Sequence, residues 1–229
     1  MLDLAYFLVI PAMIFALFAQ IKVKMTFSKY SNTGNQHGYT AQEVARRILD
    51  DNGLYNVSIE YISGSLTDHY DPSANVIRLS ESVYNSTSVA AIGVAAHEVG
   101  HAIQHAQGYS PIKIRQAIIP VTQIGSKLAV PLVLLGLFIS AFDWLIPVGI
   151  LLYTGVVFFQ AVTLPVEFNA SGRALRTLDD NLILYKDEVK MARKVLSAAA
   201  MTYVAAMFSS LVSLLRLIAI ANGGGRRRR

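Results

Sequence analysis

Four long apolar runs govern what this chain can fold into. They extend from about Leu4 to Ile21, Leu128 to Phe142, Leu145 to Val166 and Val195 to Ala221. An α-helix rises 1.5 Å per residue, so runs of this size approach or exceed the span of a hydrocarbon layer about 30 Å thick. Of the 229 residues, 53% are hydrophobic and only 15% charged, a balance too apolar for an ordinary water-soluble domain. Part of the surface must face lipid, and the lipid bilayer is the first expected partner.

The flanks of the runs support spanning helices. Lys22 and Lys24 close the first run, whose start carries only Asp3, without the basic n-region or small-residue cleavage site of a secretory signal; the run reads as an uncleaved anchor. Asp143-Trp144 alone separates the second and third runs, which read as a tight transmembrane hairpin, with Pro131, Pro147 and Pro165 expected to kink or begin its helices. Arg216 lies near the end of the last run, where it can snorkel to the interface. The net charge is +5, but Lys113, Arg115, Lys127, Arg173, Arg176, Lys190, Arg193 and Lys194 sit beside the expected spans. That is membrane-edge charge rather than the basic face of a nucleic-acid binder, and no nucleic-acid partner is expected. The chain has no cysteine, which excludes disulfides, thiolate nucleophiles and Cys-ligated zinc. Any metal site must use histidine and carboxylate.

Residues from about 25 to 115 differ in character. Thr40-Ala-Gln-Glu43 matches a capping box ahead of the helical pattern Val44, Ile48, Leu49, and Gly53 reads as its stop. Val57 to Ile62 and Asn75 to Leu79 are rich in β-branched and aromatic residues, and Asp71 to Asn75 between them carries turn chemistry, so a small antiparallel sheet is expected. From about Ser88 to His105 an Ala, Val and Ile-rich stretch without proline predicts a helix ended by Gly108.

That helix contains His97-Glu98-Val99-Gly100-His101. The i, i+4 spacing of H-E-x-x-H puts both imidazoles on one face, about 6 Å apart along the axis, where one Zn²⁺ can bridge them. Glu98 adjoins that face and can take a proton from a water that zinc makes acidic. Catalytic zinc takes three protein ligands. His105 lies about 12 Å along the axis from His97, too far to share the ion, and reads as a residue behind the ligands or at the surface. Gln104 and Gln107 stand where a longer H-E-x-x-H-x-x-G-x-x-H motif needs Gly and His. Glu167 remains, opening a helical segment after Pro165; it reads either as the third ligand or as an interfacial carboxylate balancing Arg173. Two spans separate His101 from Glu167, so the chain returns to the same side of the bilayer and the three can meet.

On these residues, together with Asp68-His-Tyr-Asp-Pro72, Val76-Ile-Arg-Leu-Ser80, Ala96 to Gln104 and Pro165 to Ser171, nearly the whole chain resembles the YugP-like family of bacterial membrane zinc metallopeptidases. That family falls in the gluzincin group with the HtpX-like and CAAX prenyl proteases. The resemblance implies zinc ligands at His97, His101 and Glu167, with Glu98 as general base. It also implies that the strand of Val76, Ile77, Arg78, Leu79 and Ser80 is an edge aligning a polypeptide substrate by strand addition. One departure stands out: the prenyl proteases carry an aspartate four residues after the ligand Glu, where this chain has Ser171. Asn169 or Ser171 is left to orient a ligand, and the prenyl-protein substrates of those relatives are not implied.

The expected fold is therefore a mainly α integral membrane protein with about four transmembrane helices and a small α+β zincin-like catalytic subdomain. Its expected segments are an anchor (1–24), the subdomain (25–115), a transmembrane hairpin (116–166), a helix with the third ligand (167–194) and a last transmembrane helix with a basic tail (195–229). The Lys- and Arg-rich segments flanking the site place it on the cytoplasmic side of a multi-pass cell-membrane protein, although four crossings put Arg226 to Arg229 outside, against the same rule. The expected activity is zinc-dependent endopeptidase hydrolysis. The alternatives are a noncatalytic metal-binding scaffold or transporter, and an intramembrane-cleaving protease, for which Leu178-Asp179-Asp180 poorly matches the expected Leu-Asp-Gly.

Overall fold

A computed structural model describes residues 2–226; most of the arginine tail, residues 227–229, lies outside them. The helices are α1 (Leu2–Ser31), α2 (Ala41–Asp51), α3 (Val89–Ala106), α4 (Ser110–Phe138), α5 (Leu145–Asp180) and α6 (Lys186–Arg226), and the strands are β1 (Ser58–Ile62), β2 (His69–Asp71) and β3 (Val76–Ser80). Among the described residues, four helical stretches are long and apolar enough to cross a membrane: Phe7–Ser31, Ser110–Phe138, Leu145–Asp180 and Lys186–Gly223. All four boundaries drawn from hydropathy, after residues 24, 115, 166 and 194, fall inside helices. Hydropathy marks only the apolar portion of a helix, whereas the backbone ladder continues into polar sequence.

The chain forms two compact units. The apolar one comprises Met1–Gln20, Lys113–Pro165 and Thr202–Arg229. Its outward side chains include Phe7, Phe138 and Leu151, each more than 70% exposed. So many large apolar groups on an outer surface suit hydrocarbon and not water. Inside it α4 and α5 pack through small residues: a Cβ at Gly125 would sit 2.6 Å from Leu152 O, and one at Gly149 would sit 2.6 Å from Ala129 O. Close backbone approach of this kind is how helices associate where lipid supplies no hydrophobic drive. Pro131 and Pro165 lie within α4 and α5, Pro147 lies in the first turn of α5, and a single 3₁₀ turn (Ser140–Phe142) opens the hairpin connection.

The second unit comprises Ile21–Ile112 and Val166–Met201. Its core gathers Ile48 and Leu49 of α2, Ile77 and Leu79 of β3, Ile92 of α3 and Leu178 of α5, all nearly inaccessible. The capping box forms as the sequence predicts, with Thr40 Oγ1 accepting from Glu43 N and the Glu43 carboxylate accepting from Thr40 N. Gly53 and Gly108 follow their helices with φ of 72° and 63°.

The sheet corrects one expectation. Its order is β1-β3-β2, with β1 parallel to β3 and only β2 antiparallel. The turn Pro72–Asn75 joins β3 not to β1 but to the short strand β2, which the sequence reading missed because three residues carry too little pattern. Asn75, at φ 53°, turns the chain there. Thr40→Ala removes the cap of α2 and is expected to cost about 1 kcal/mol, checked as a lowered thermal midpoint of the detergent-solubilised protein; an unchanged midpoint contradicts a contribution of the cap to folding.

Candidate metal centre

The site is built by α3, β2 and the part of α5 within the second unit. Ser88 caps α3 through its hydroxyl, which accepts from Ala91 N at 3.2 Å. One helical turn separates His97 from His101, and their rings lie 4.7 Å apart at 85°. The near-perpendicular rings aim both Nε2 atoms at one place. Into that place α5 projects Glu167, whose Oε2 lies 3.3 Å from His97 Nε2 and 3.5 Å from His101 Nε2.

These separations have a chemical meaning. Zinc bonds of about 2.0–2.1 Å in tetrahedral geometry put neighbouring ligand atoms roughly 3.3–3.4 Å apart. The two measured separations, 3.3 and 3.5 Å from Glu167 Oε2 to the imidazole nitrogens, match that spacing, and the three side chains cluster at one point. Both Nδ1 atoms are engaged elsewhere. His97 Nδ1 meets Ser171 Oγ at 3.1 Å, and His101 Nδ1 meets Gln104 Oε1 at 3.0 Å. Outer-shell bonds of this kind hold a ligand ring in orientation. The residues present therefore fit a zinc ion with two imidazole nitrogens and one carboxylate.

Ligand convergence requires α3 and α5 to approach closely, and Gly100 permits it. A Cβ there would sit 2.8 Å from Ala170 O and 3.3 Å from Ala170 Cα, closer than backbone tolerates. Glycine between Glu98 and His101 thus lets the turn bearing Glu167 reach the histidines.

Glu98 is buried, and its Oε2 accepts from Tyr70 N at 3.0 Å. Tyr70 belongs to β2, whose other edge pairs with β3, so its amide faces α3. Asp68, just before β2, accepts from Ser80 N and Ser80 Oγ and ties the start of β2 to the end of β3. Burial pushes the Asp68 carboxyl above the usual carboxylate range, against the opposing effect of the Ser80 hydrogen bonds. At His101 burial disfavours the charged ring, but the neighbouring Glu167 carboxylate and, behind it, Glu98 more than offset this and raise its pKa. A proton and a divalent cation therefore compete for one electronegative pocket, and cation affinity falls as pH drops through the histidine range.

Not every expected site residue is brought to the centre. His105 is exposed, its ring edge-on to Tyr70 at 6.0 Å, so it lies at the surface and not behind a ligand. The reading of Val76, Ile77, Arg78, Leu79 and Ser80 as an edge strand is also corrected: β3 is central, with β1 along its whole length and β2 alongside Val76–Arg78. Asn169 reaches the centre only indirectly, as the acceptor of hydrogen bonds from Gln104 and Arg173. Gln104 and Tyr70 were missed. Gln104 falls on the ligand face, three residues after His101, a signal the sequence did carry; the role of Tyr70 is a backbone donor's and leaves no trace in side-chain identity.

The sequence profile of a family described as "Putative neutral zinc metallopeptidase" matches residues 5–222. The chain belongs to this family. It is also similar to the "Putative membrane protease YugP" of Bacillus subtilis (strain 168), with 49% identity over 218 residues, covering 95% of this chain and 96% of that protein. No solved structure matches it. The zinc in the family's description agrees with the donor set found here.

Gly100→Ala is expected to force α5 away from α3 and to lower zinc affinity by at least tenfold, the scale of a disturbed ligand environment. Zinc titration of the folded variant checks this, and parental affinity would contradict the close approach.

Proposed function

We propose that this protein is an integral membrane zinc endopeptidase that cleaves polypeptides near the bilayer surface. The observation that carries the reading is the convergence of His97, His101 and Glu167 on one point, with the buried carboxylate of Glu98 one residue from the first ligand. Bound zinc supplies the Lewis acidity that polarises a carbonyl and makes water acidic near neutral pH. His97 Nε2, His101 Nε2 and a Glu167 oxygen would hold the ion. Glu98 accepts the proton of the attacking water and delivers it to the leaving amine as the C–N bond breaks. The Tyr70 amide holds Glu98 in place for this transfer.

β3 is flanked by β1 along its whole length and by β2 at Val76–Arg78, and the outward amide of β2 is taken by Glu98, so neither strand offers a free edge beside the site. The basic segments flanking the site favour a cytoplasmic active site. Glu98→Gln is expected to keep about one zinc per chain and to reduce cleavage of a quenched-fluorescence peptide library by about 10²–10⁴-fold. Undiminished cleavage by zinc-loaded Glu98→Gln would contradict its role as base.

A further inference from the structure

We propose that Arg173, Asn169 and Gln104 form a relay of fixed hydrogen-bond polarity that sets which nitrogen of His101 faces the metal. The inference rests on the zinc reading above and deepens it. Gln104 is fully buried, and all of its side-chain polar atoms are used. Its Nε2 donates to Val166 O at 2.8 Å and to Asn169 Oδ1 at 3.0 Å, and its Oε1 lies 3.0 Å from His101 Nδ1. Val166 O is a backbone carbonyl and can only accept. Asn169 Oδ1 is likewise committed as an acceptor, since Arg173 Nε, which can only donate, reaches it at 2.7 Å.

A flipped Gln104 amide would set its oxygen against two acceptors inside a dry site, where an unmatched polar group is costly. The amide therefore has one orientation, its oxygen towards His101. An amide oxygen only accepts, so His101 Nδ1 must carry the hydrogen and Nε2 keeps its lone pair for the ion. The partner of His97 differs in kind: the Ser171 hydroxyl can donate or accept and imposes no polarity. The same glutamine also joins the second ligand on α3 to the carbonyl immediately before Glu167 on α5. Gln104, Asn169 and Arg173 act through His101 and are positioning residues. Arg173 is itself anchored by Gln107, whose Oε1 accepts from its Nη1 at 2.7 Å.

The test is zinc affinity by chelator competition, with the visible absorption of bound Co²⁺ as a report on ligand geometry, for the parent, Gln104→Leu, Asn169→Leu and Asn169→Asp in detergent. Both leucine variants are expected to bind zinc about 10–100-fold more weakly and to give an altered Co²⁺ spectrum. Asn169→Asp, similar in shape and still an acceptor for both donors, is expected to recover most of the loss seen in Asn169→Leu. A role in packing alone would make leucine at 169 no worse than aspartate. Parental affinity in Gln104→Leu, or equal losses in the two Asn169 variants, would overturn the relay; if Gln104→Leu does not fold, the Asn169 pair still decides. A parent that binds no zinc would remove the metal reading itself, a result distinct from the relay failing in a protein that binds zinc.

Discussion

The close approach of α3 and α5 at Gly100 and Ala170 is the contact on which the site depends. Two histidines one turn apart are preorganised by their own helix, but they supply only two ligands. The third comes from a segment 66 residues further on, and it arrives only because no side chain at position 100 holds the α5 backbone away. From that approach follow the three-ligand geometry, the reach of Ser171 to His97 and the reach of Gln104 to the carbonyl before Glu167. Burial of Glu167 and Glu98 is tolerable because each faces groups that welcome negative charge: the imidazoles and any ion between them, and the Tyr70 amide.

Lipid imposes the other constraint. Within hydrocarbon every backbone group must bond inside its own element, so long uninterrupted helices are the available solution. This accounts for the unbroken helix of the apolar part of α5 after Leu145, and the same helix runs on through Pro165 to Asp180. A single element thus belongs to an apolar stretch and also carries Glu167, Asn169, Ser171 and Arg173 at every second position. The groups that hydrogen-bond the two imidazoles and Glu98 directly are neutral: the Ser171 hydroxyl, the Gln104 amide and the Tyr70 backbone N–H.

Much of this was legible in the sequence because it is periodic or local. The apolar runs, the Thr40 capping box, the α3 helix and its i, i+4 histidines each rest on a short pattern with a direct physical meaning, and the resemblance to the YugP-like family agrees with the relative found. The family pattern led to Glu167 where spacing alone left it between ligand and interfacial charge. What escaped was non-local or backbone-borne. The parallel pairing of β1 with β3 depends on a crossover, β2 is too short to show alternation, and the central place of β3 is a property of the whole sheet. Hydropathy and hydrogen bonding stop at different residues, so segment limits drawn from the apolar runs fall within helices.

The central claim is that His97, His101 and Glu167 together hold one zinc ion. Its most direct test is the elemental zinc content of the detergent-purified protein beside folded Glu167→Ala and His97→Ala variants, each dialysed against the same buffered zinc. About one zinc per chain in the parent, lost or much weakened in both variants, is the predicted result, as a structural consequence of removing one of three protein ligands. Full zinc retention in Glu167→Ala, or none in the parent even after zinc is supplied, would contradict it.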